Sequence, residues 1–151
     1  MPEPPMRLPK ENIDKLLRSI ETTMQQGTLI REELSQNFGK GPWDITWEVK
    51  AAVEALHIFG SRWTTEILTT LYIAGPRRFN QLKTLLSGIS SRTLSDKLQL
   101  LVEENLVDRI VVDGPPVKVS YALSQHGHDC GILLSPLVAH LKMHLGSIKK
   151  Q

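Results

Sequence analysis

Two groups of residues in this chain have types and spacings suited to chemistry. Between positions 77 and 97 stand five basic side chains, Arg77, Arg78, Lys83, Arg92 and Lys97, against one acid, Asp96. Hydroxyl and amide side chains are interleaved with them. Guanidinium and ammonium groups meet phosphate oxygens, and hydroxyls and amides can reach base edges, so this mixture suits a nucleic acid. The second group lies near the end of the chain: His126, His128, Cys130, His140 and His144. Imidazole and thiolate are metal ligands, and His140 and His144 share one helix face. On a continuous helix, however, His128 and His140 would stand about 18 Å apart. One site therefore needs a chain reversal near Pro136 or ligands from two subunits. The alternative is that Cys130 fills a core slot and the histidines lie at the surface or an interface.

Enzymatic chemistry finds little footing. There is no G-x-S-x-G, phosphate-binding loop, H-E-x-x-H or dinucleotide fingerprint, and the carboxylates are dispersed on polar faces. The expectation is a protein that is not an enzyme and carries no cofactor.

The bulk numbers are ordinary for a soluble globular chain. Its 151 residues allow one domain with its own core plus an appendage. A net charge of +2 says little alone, but its distribution is uneven. Residues 1–49 carry six Lys/Arg against eight Asp/Glu, so the basic excess belongs to the middle of the chain. Cys130 is the single cysteine, which precludes an internal disulfide and fits a reducing cytoplasm. No apolar run approaches the ~18–20 residues of a membrane helix. Residues 1–9 are proline-rich without an apolar h-region, and read as a mobile tail rather than a signal peptide.

The elements that would position these residues follow from periodicity. Ile13, Leu16, Leu17, Ile20, Met24, Ile30, Leu34 and Phe38 recur at helical steps, with Gly27 placed to bend or split the helix. Gly39 to Asp44 is a break. Trp47, Val49, Val53, Leu56 and Phe59 then suit a buried helical face, with Trp43, Trp47 and Trp63 as core or interface anchors. Ile67, Leu68, Leu71 and Tyr72 mark another helix, stopped by Gly75-Pro76. Phe79, Leu82, Leu85 and Leu86 mark a short one. Ser90 is placed as an N-cap for a helix with Leu94, Leu98 and Leu101 on one face, and Asn105 stands where a left-handed C-cap is wanted. The period then becomes two: Val107, Arg109, Val111, a turn at Asp113-Gly114-Pro115-Pro116, and Val117, Val119, Tyr121, Leu123 predict a hairpin. A last helix carries Ile132, Leu133, Leu137, Leu141 and Leu145, with Pro136 able to kink it or reset its start.

A short helix, a tight turn, a longer polar-faced helix and a hairpin make a winged helix-turn-helix, a mainly α fold with a small β-hairpin wing. A major groove about 12 Å wide admits one helix, which needs an apolar face toward its domain and a polar face toward the bases. Leu94, Leu98 and Leu101 supply the first; Ser91, Arg92, Ser95, Asp96 and Gln99 supply the second. Near the helix start, Ser91, Arg92 and Ser95 are the first choices for base edges, with Ser90 and Thr93 as further DNA-contact candidates beside them. Arg77, Arg78 and Lys83 are placed for phosphates, Lys118 for the DNA backbone or the minor groove, and Lys97 is a further DNA-contact candidate. An ion pair from Arg92 to Asp96, four residues on, is the competing use of that arginine.

These segments resemble the HxlR-type winged-helix regulators. The resemblance runs through Gly60-Ser61-Arg62-Trp63, Ile67-Leu68 and Gly75-Pro76-Arg77-Arg78-Phe79-Asn80-Gln81-Leu82. It continues through Gly88-Ile89-Ser90-Ser91-Arg92-Thr93-Leu94-Ser95, Leu106-Val107, Pro115-Pro116, and Tyr121-Ala122-Leu123-Ser124 with Gly127. It covers roughly residues 50–145. It implies a cytoplasmic homodimer of prokaryotic type, joined through its first and last helices, that binds double-stranded DNA at a near-palindromic operator. The chain also departs from the family. Lys50 stands near the place of a sensor cysteine that many members carry. Leu100 and Val102 occupy positions usually polar, Asn105 replaces the usual glycine, and residues 10–38 have no counterpart.

The expected organisation is a tail over 1–9, a helical dimerisation extension over 10–42, a winged helix-turn-helix over 43–124 and a dimerisation helix over 125–151. A small-molecule effector is an open partner, and a membrane is not expected. Two other readings stand beside DNA-dependent regulation: a winged-helix protein-interaction module, and a metal-responsive regulator using the histidine and cysteine cluster.

Overall fold

A computed structural model describes residues 3–151; Met1 and Pro2 of the expected tail lie outside the described residues. The elements in chain order are β1 (Met6–Leu8), α1 (Lys10–Ser35), α2 (Ile45–Leu56), a 3-10 turn (His57–Gly60), α3 (Thr64–Ala74), β2 (Arg77–Arg78) and α4 (Phe79–Leu85). They continue with α5 (Ser91–Glu103), β3 (Val107–Val112), β4 (Lys118–Leu123), α6 (Gln125–Leu145) and β5 (Ile148–Lys150). The chain divides into two compact units, one within Met1–Lys50 and Ile132–Gln151 and the other Ala51–Gly131.

Ala51–Gly131 is the winged helix-turn-helix. Its core is made where the helical stripes converge: Ile67, Leu68 and Leu71 from α3, Leu82 from α4, and Leu94, Leu98 and Leu101 from α5. Leu106 and Val107 close it from the start of the hairpin. The termini of α5 are satisfied locally. Ser90 Oγ accepts from the Thr93 backbone N–H at 3.1 Å, an N-cap that meets one of the helix's unpaired donors. At the other end Asn105 takes φ 59°, and the N–H groups of Leu106 and Asn105 reach the carbonyls of Leu101 (2.9 Å) and Val102 (3.0 Å). That pair of bonds is a Schellman closure, with asparagine filling the left-handed position glycine usually takes.

The hairpin β3–β4 is antiparallel, pairing Val107 with Leu123 through to Val112 with Lys118. A third strand, β2, lies on the other side of β4, pairing Arg77 with Tyr121 and Arg78 with Ser120. The hairpin is then locked to the start of α6. Ser124 Oγ donates to the Asn105 carbonyl at 2.6 Å and accepts from the Gly127 N–H at 3.0 Å. A Cβ at Gly127 would fall 2.1 Å from the Leu106 carbonyl oxygen, so only glycine lets the backbones approach this closely.

The other unit departs from expectation in three ways. α1 runs unbroken through Gly27, because one glycine weakens a long helix by only ~1 kcal/mol against alanine. Residues 6–8, expected within a mobile tail, form β1, which pairs in parallel with β5 through Met6–Ile148, Arg7–Lys149 and Leu8–Lys150. α6 also continues through Pro136, so the helix does not start anew there. Arg31 and Glu48 form a two-pronged ion pair, the second prong (Nη2 to Oε2) at 2.9 Å, and the hydrogen bond to Glu48 holds the guanidinium above its ordinary pKa. The Arg31 guanidinium also lies 5.9 Å from the Phe38 ring centroid.

Burial by the chain itself is incomplete. Of α1 only Ile20 is buried, while Met24, Leu29, Ile30 and Leu34 are exposed. Trp47, Val49, Val53 and Leu56, expected to be buried, are exposed along α2, and so are Leu133, Leu137, Leu141 and Leu145 along α6. Trp43 is exposed as well; Trp63 alone of the three tryptophans packs on the core.

Candidate nucleic-acid interface

The outward face of α5 is built by subtraction. Leu94, Leu98 and Leu101 take the inward stripe, and the remaining positions fall on the flanks or the open side. Ser91, Arg92, Ser95, Asp96 and Gln99 are all exposed. Gln99 donates to Glu103 at 3.3 Å, along the same face. Among the described residues Arg31–Glu48 is the only ion pair, so Arg92 is not held by Asp96, and no carboxylate neutralises Arg77, Arg78, Lys83 or Lys118. An unneutralised cation on a polar face keeps its full attraction for an anion.

The other cations are positioned by α4 and the wing. Lys83 is exposed on α4. Arg78 is exposed, and its backbone N–H is accepted by the Gln81 side chain at 2.9 Å, which closes the start of α4. Arg77 is half-buried and its guanidinium donates to the Pro76 carbonyl at 2.7 Å. It lines a shallow hollow with Asn80, Gln81, Thr84 and Leu85, so exposed polar residues of α4 join a surface that charge alone had outlined. Lys118 is exposed at the start of β4, opposite Val112. Because β2 pairs with β4, the Arg77–Arg78 segment and the wing share one sheet.

Three of the candidate residues make hydrogen bonds within the chain. Ser90 and Thr93 are engaged with each other: Ser90 Oγ accepts from the Thr93 N–H and donates to Thr93 Oγ1 at 2.9 Å, so both are occupied in starting the helix. Lys97 turns away from the open face, and its ammonium donates to Ser61 Oγ at 2.5 Å in a half-buried setting. Charge type gave no sign of this, because the partner lies 36 residues away.

The histidine and cysteine residues are not gathered. Among the described residues no group of three or more His, Cys, Asp or Glu is placed to hold a metal ion. The unbroken α6 excludes the chain reversal that a site within one chain requires. Cys130 packs half-buried against the core, and the His128 ring lies 5.4 Å from that of Tyr72. No described helix is long and apolar enough to cross a membrane.

Comparison with known proteins gives this geometry a family. Residues 58–149 match the model of the HxlR-like helix-turn-helix. The chain is 33% identical over 98 residues to the HTH-type transcriptional regulator YtcD of Bacillus subtilis, covering 64% of this chain and 77% of that protein. The solved structure of YtcD superposes with a TM-score of 0.57 at 31% identity, over 62% of this chain and 95% of that one. The reduced form of YodB, a transcriptional regulator of B. subtilis, superposes with a TM-score of 0.54 at 29% identity, over 59% and 86% of the two chains. An HTH-type transcriptional regulator of Mycobacterium bovis, Mb3122, is 40% identical over 83 residues, 55% of this chain and 51% of its own length. The chain thus spans about half the length of the mycobacterial relatives it matches. Its winged fold, its capped and leucine-anchored α5 and the match over most of its length lead to one assignment: the chain belongs to the HxlR-like helix-turn-helix family.

Proposed function

We propose that this protein is a sequence-specific DNA-binding transcriptional regulator, acting in the cytoplasm as a homodimer on a near-palindromic operator. One observation carries the reading: α5 is capped at both ends, held by three buried leucines, and presents Arg92 outward with no acidic partner. That is what a recognition helix requires. The naming of YtcD and YodB as transcriptional regulators supports it. A protein-interaction module has no use for five cations free of carboxylate partners along one segment and wing. The second subunit is inferred from the runs of exposed large apolar residues along α1, α2 and α6, since grouped apolar surface of this kind marks an interaction site. In the dimer two copies of α5 would stand about 34–36 Å apart, one turn of B-DNA. An effector would act by changing that separation.

The test is binding of the purified protein to genomic fragments at two salt concentrations, with Arg92→Ala and Arg77→Ala alongside. Wild type is expected to select one near-palindromic sequence with salt-sensitive affinity. Arg92→Ala should weaken that site by about 1–3 kcal/mol, roughly 5- to 150-fold, and relax its specificity. Arg77→Ala should weaken all DNA alike and reduce the slope of log affinity against log salt by about 0.9. Equal, sequence-independent losses in both variants would show that base recognition lies elsewhere.

A further inference from the structure

The ammonium of Lys97 is the one cation of the 77–97 cluster whose partner lies on a distant element. It donates to Ser61 Oγ at 2.5 Å, half-buried. An ammonium has no lone pair to offer, so the hydroxyl must accept there, which leaves its own hydrogen for the Arg62 carbonyl, at 3.3 Å. The Ser61 carbonyl in turn accepts the Thr64 N–H at 3.3 Å, at the first turn of α3. The segment that receives Lys97 is itself constrained. Trp63 sits at φ 73°, a left-handed conformation unusual for a bulky residue. Its ring packs on the core, and the Arg62 guanidinium covers it at 4.6 Å. Lys97 is thus bonded to a point of the domain held by several independent contacts.

The place of Lys97 on α5 gives this bond its consequence. At 100° per residue Lys97 lies about 70° from the centre of the leucine stripe and about 140° around the axis from Arg92. The leucines hold α5 against the core, but apolar contact is non-directional and leaves some freedom to roll. A charge-assisted hydrogen bond on one flank is directional and opposes that roll. A roll of about 10° moves a side-chain tip some 6 Å from the axis by about 1 Å. Bidentate recognition of a base edge does not survive such a shift, whereas attraction to phosphate does.

We infer that Lys97 is a positioning residue: held by Ser61, it fixes the roll of α5 and so governs sequence preference without touching DNA. The inference rests on the reading of α5 as the recognition helix. It is tested with Lys97→Met, which keeps the apolar stem, with Ser61→Ala, with the two combined, and with Ser61→Thr, which keeps a hydroxyl. Each is titrated, across a salt series, with the duplex that wild type selects from random sequence and with an unrelated duplex. Lys97→Met and Ser61→Ala should each weaken the selected duplex about threefold to tenfold, the double variant no further, and Ser61→Thr little. Affinity for the unrelated duplex and the salt slope should stay at the wild-type values. A Lys97→Met variant that weakens both duplexes and lowers the slope by about 0.9, beside an Ser61→Ala variant that binds as wild type, would make Lys97 a phosphate contact and overturn the inference. A wild type that selects no sequence would sink the DNA reading itself. The contact is then judged by a double-mutant cycle in urea, where an absence of coupling between positions 61 and 97 overturns it separately.

Discussion

In the dimer proposed above, Leu137→Glu should separate the subunits into folded monomers and lower affinity for a two-half-site operator by roughly 100-fold or more, the scale on which joining two binding modules raises affinity. Leu137 is 53% exposed, and Leu133 (77%) and Leu141 (46%) stand one turn to either side, so the three line one face of α6. A second copy of the chain is the proposed cover for that face. A carboxylate placed in such a contact would have to be desolvated without a partner, which costs far more than the face gains. In the monomer the same side chain stays in water, so circular dichroism should change little and the urea midpoint should fall only by what subunit association contributed. Sedimentation reports the mass and an operator titration reports the affinity. A variant that sediments as wild type and binds as wild type would show that this face is not the subunit contact.

Leu98→Ala should destabilise the winged domain by about 2–5 kcal/mol, enough to unfold an ordinary small domain partly at room temperature. Leu98 is 1% exposed, in the middle of the α5 stripe, and truncation leaves a cavity between α5 and the rest of the core. Leu94 and Leu101, one turn to either side, are fully buried and have no freedom to collapse into the space. Ile73→Ala is the matched control: Ile73 belongs to the same domain but is 72% exposed, and its truncation should change stability by less than about 0.5 kcal/mol. Urea unfolding of both variants checks the pair. A loss at position 98 no larger than that at 73 would mean that the leucine stripe does not hold α5 on the domain.

Much of the fold was legible because its signals are local. The leucines of α5 at three- and four-residue steps, Ser90 before them and Asn105 after them each act within a turn or two of the chain. The structure finds them as stripe, N-cap and left-handed closure. The hairpin was equally visible, since alternation and a Gly-Pro-Pro turn are properties of adjacent residues. The outward placement of Arg92 follows from the same helical arithmetic.

What periodicity could not tell was which apolar stripe meets another within one chain. Val53 and Leu56 have the spacing of core residues and stay in water here, whereas Leu98 and Leu101 have the same spacing and are buried. Nor could it place β1 against β5, because the pairing of Met6 with Ile148 joins opposite ends of the sequence and rests on backbone groups every residue possesses. The sequence alone determined the winged helix-turn-helix and the exposed face of α5, because helix and hairpin signals are written in neighbouring residues. Only the tertiary structure decided that Lys97 belongs to Ser61, that Arg77 and Arg78 join the sheet of the wing, and that α6 carries its histidines along an unbroken helix. These depend on which distant groups the folded core brings within bonding distance, and residue type alone carries no record of that.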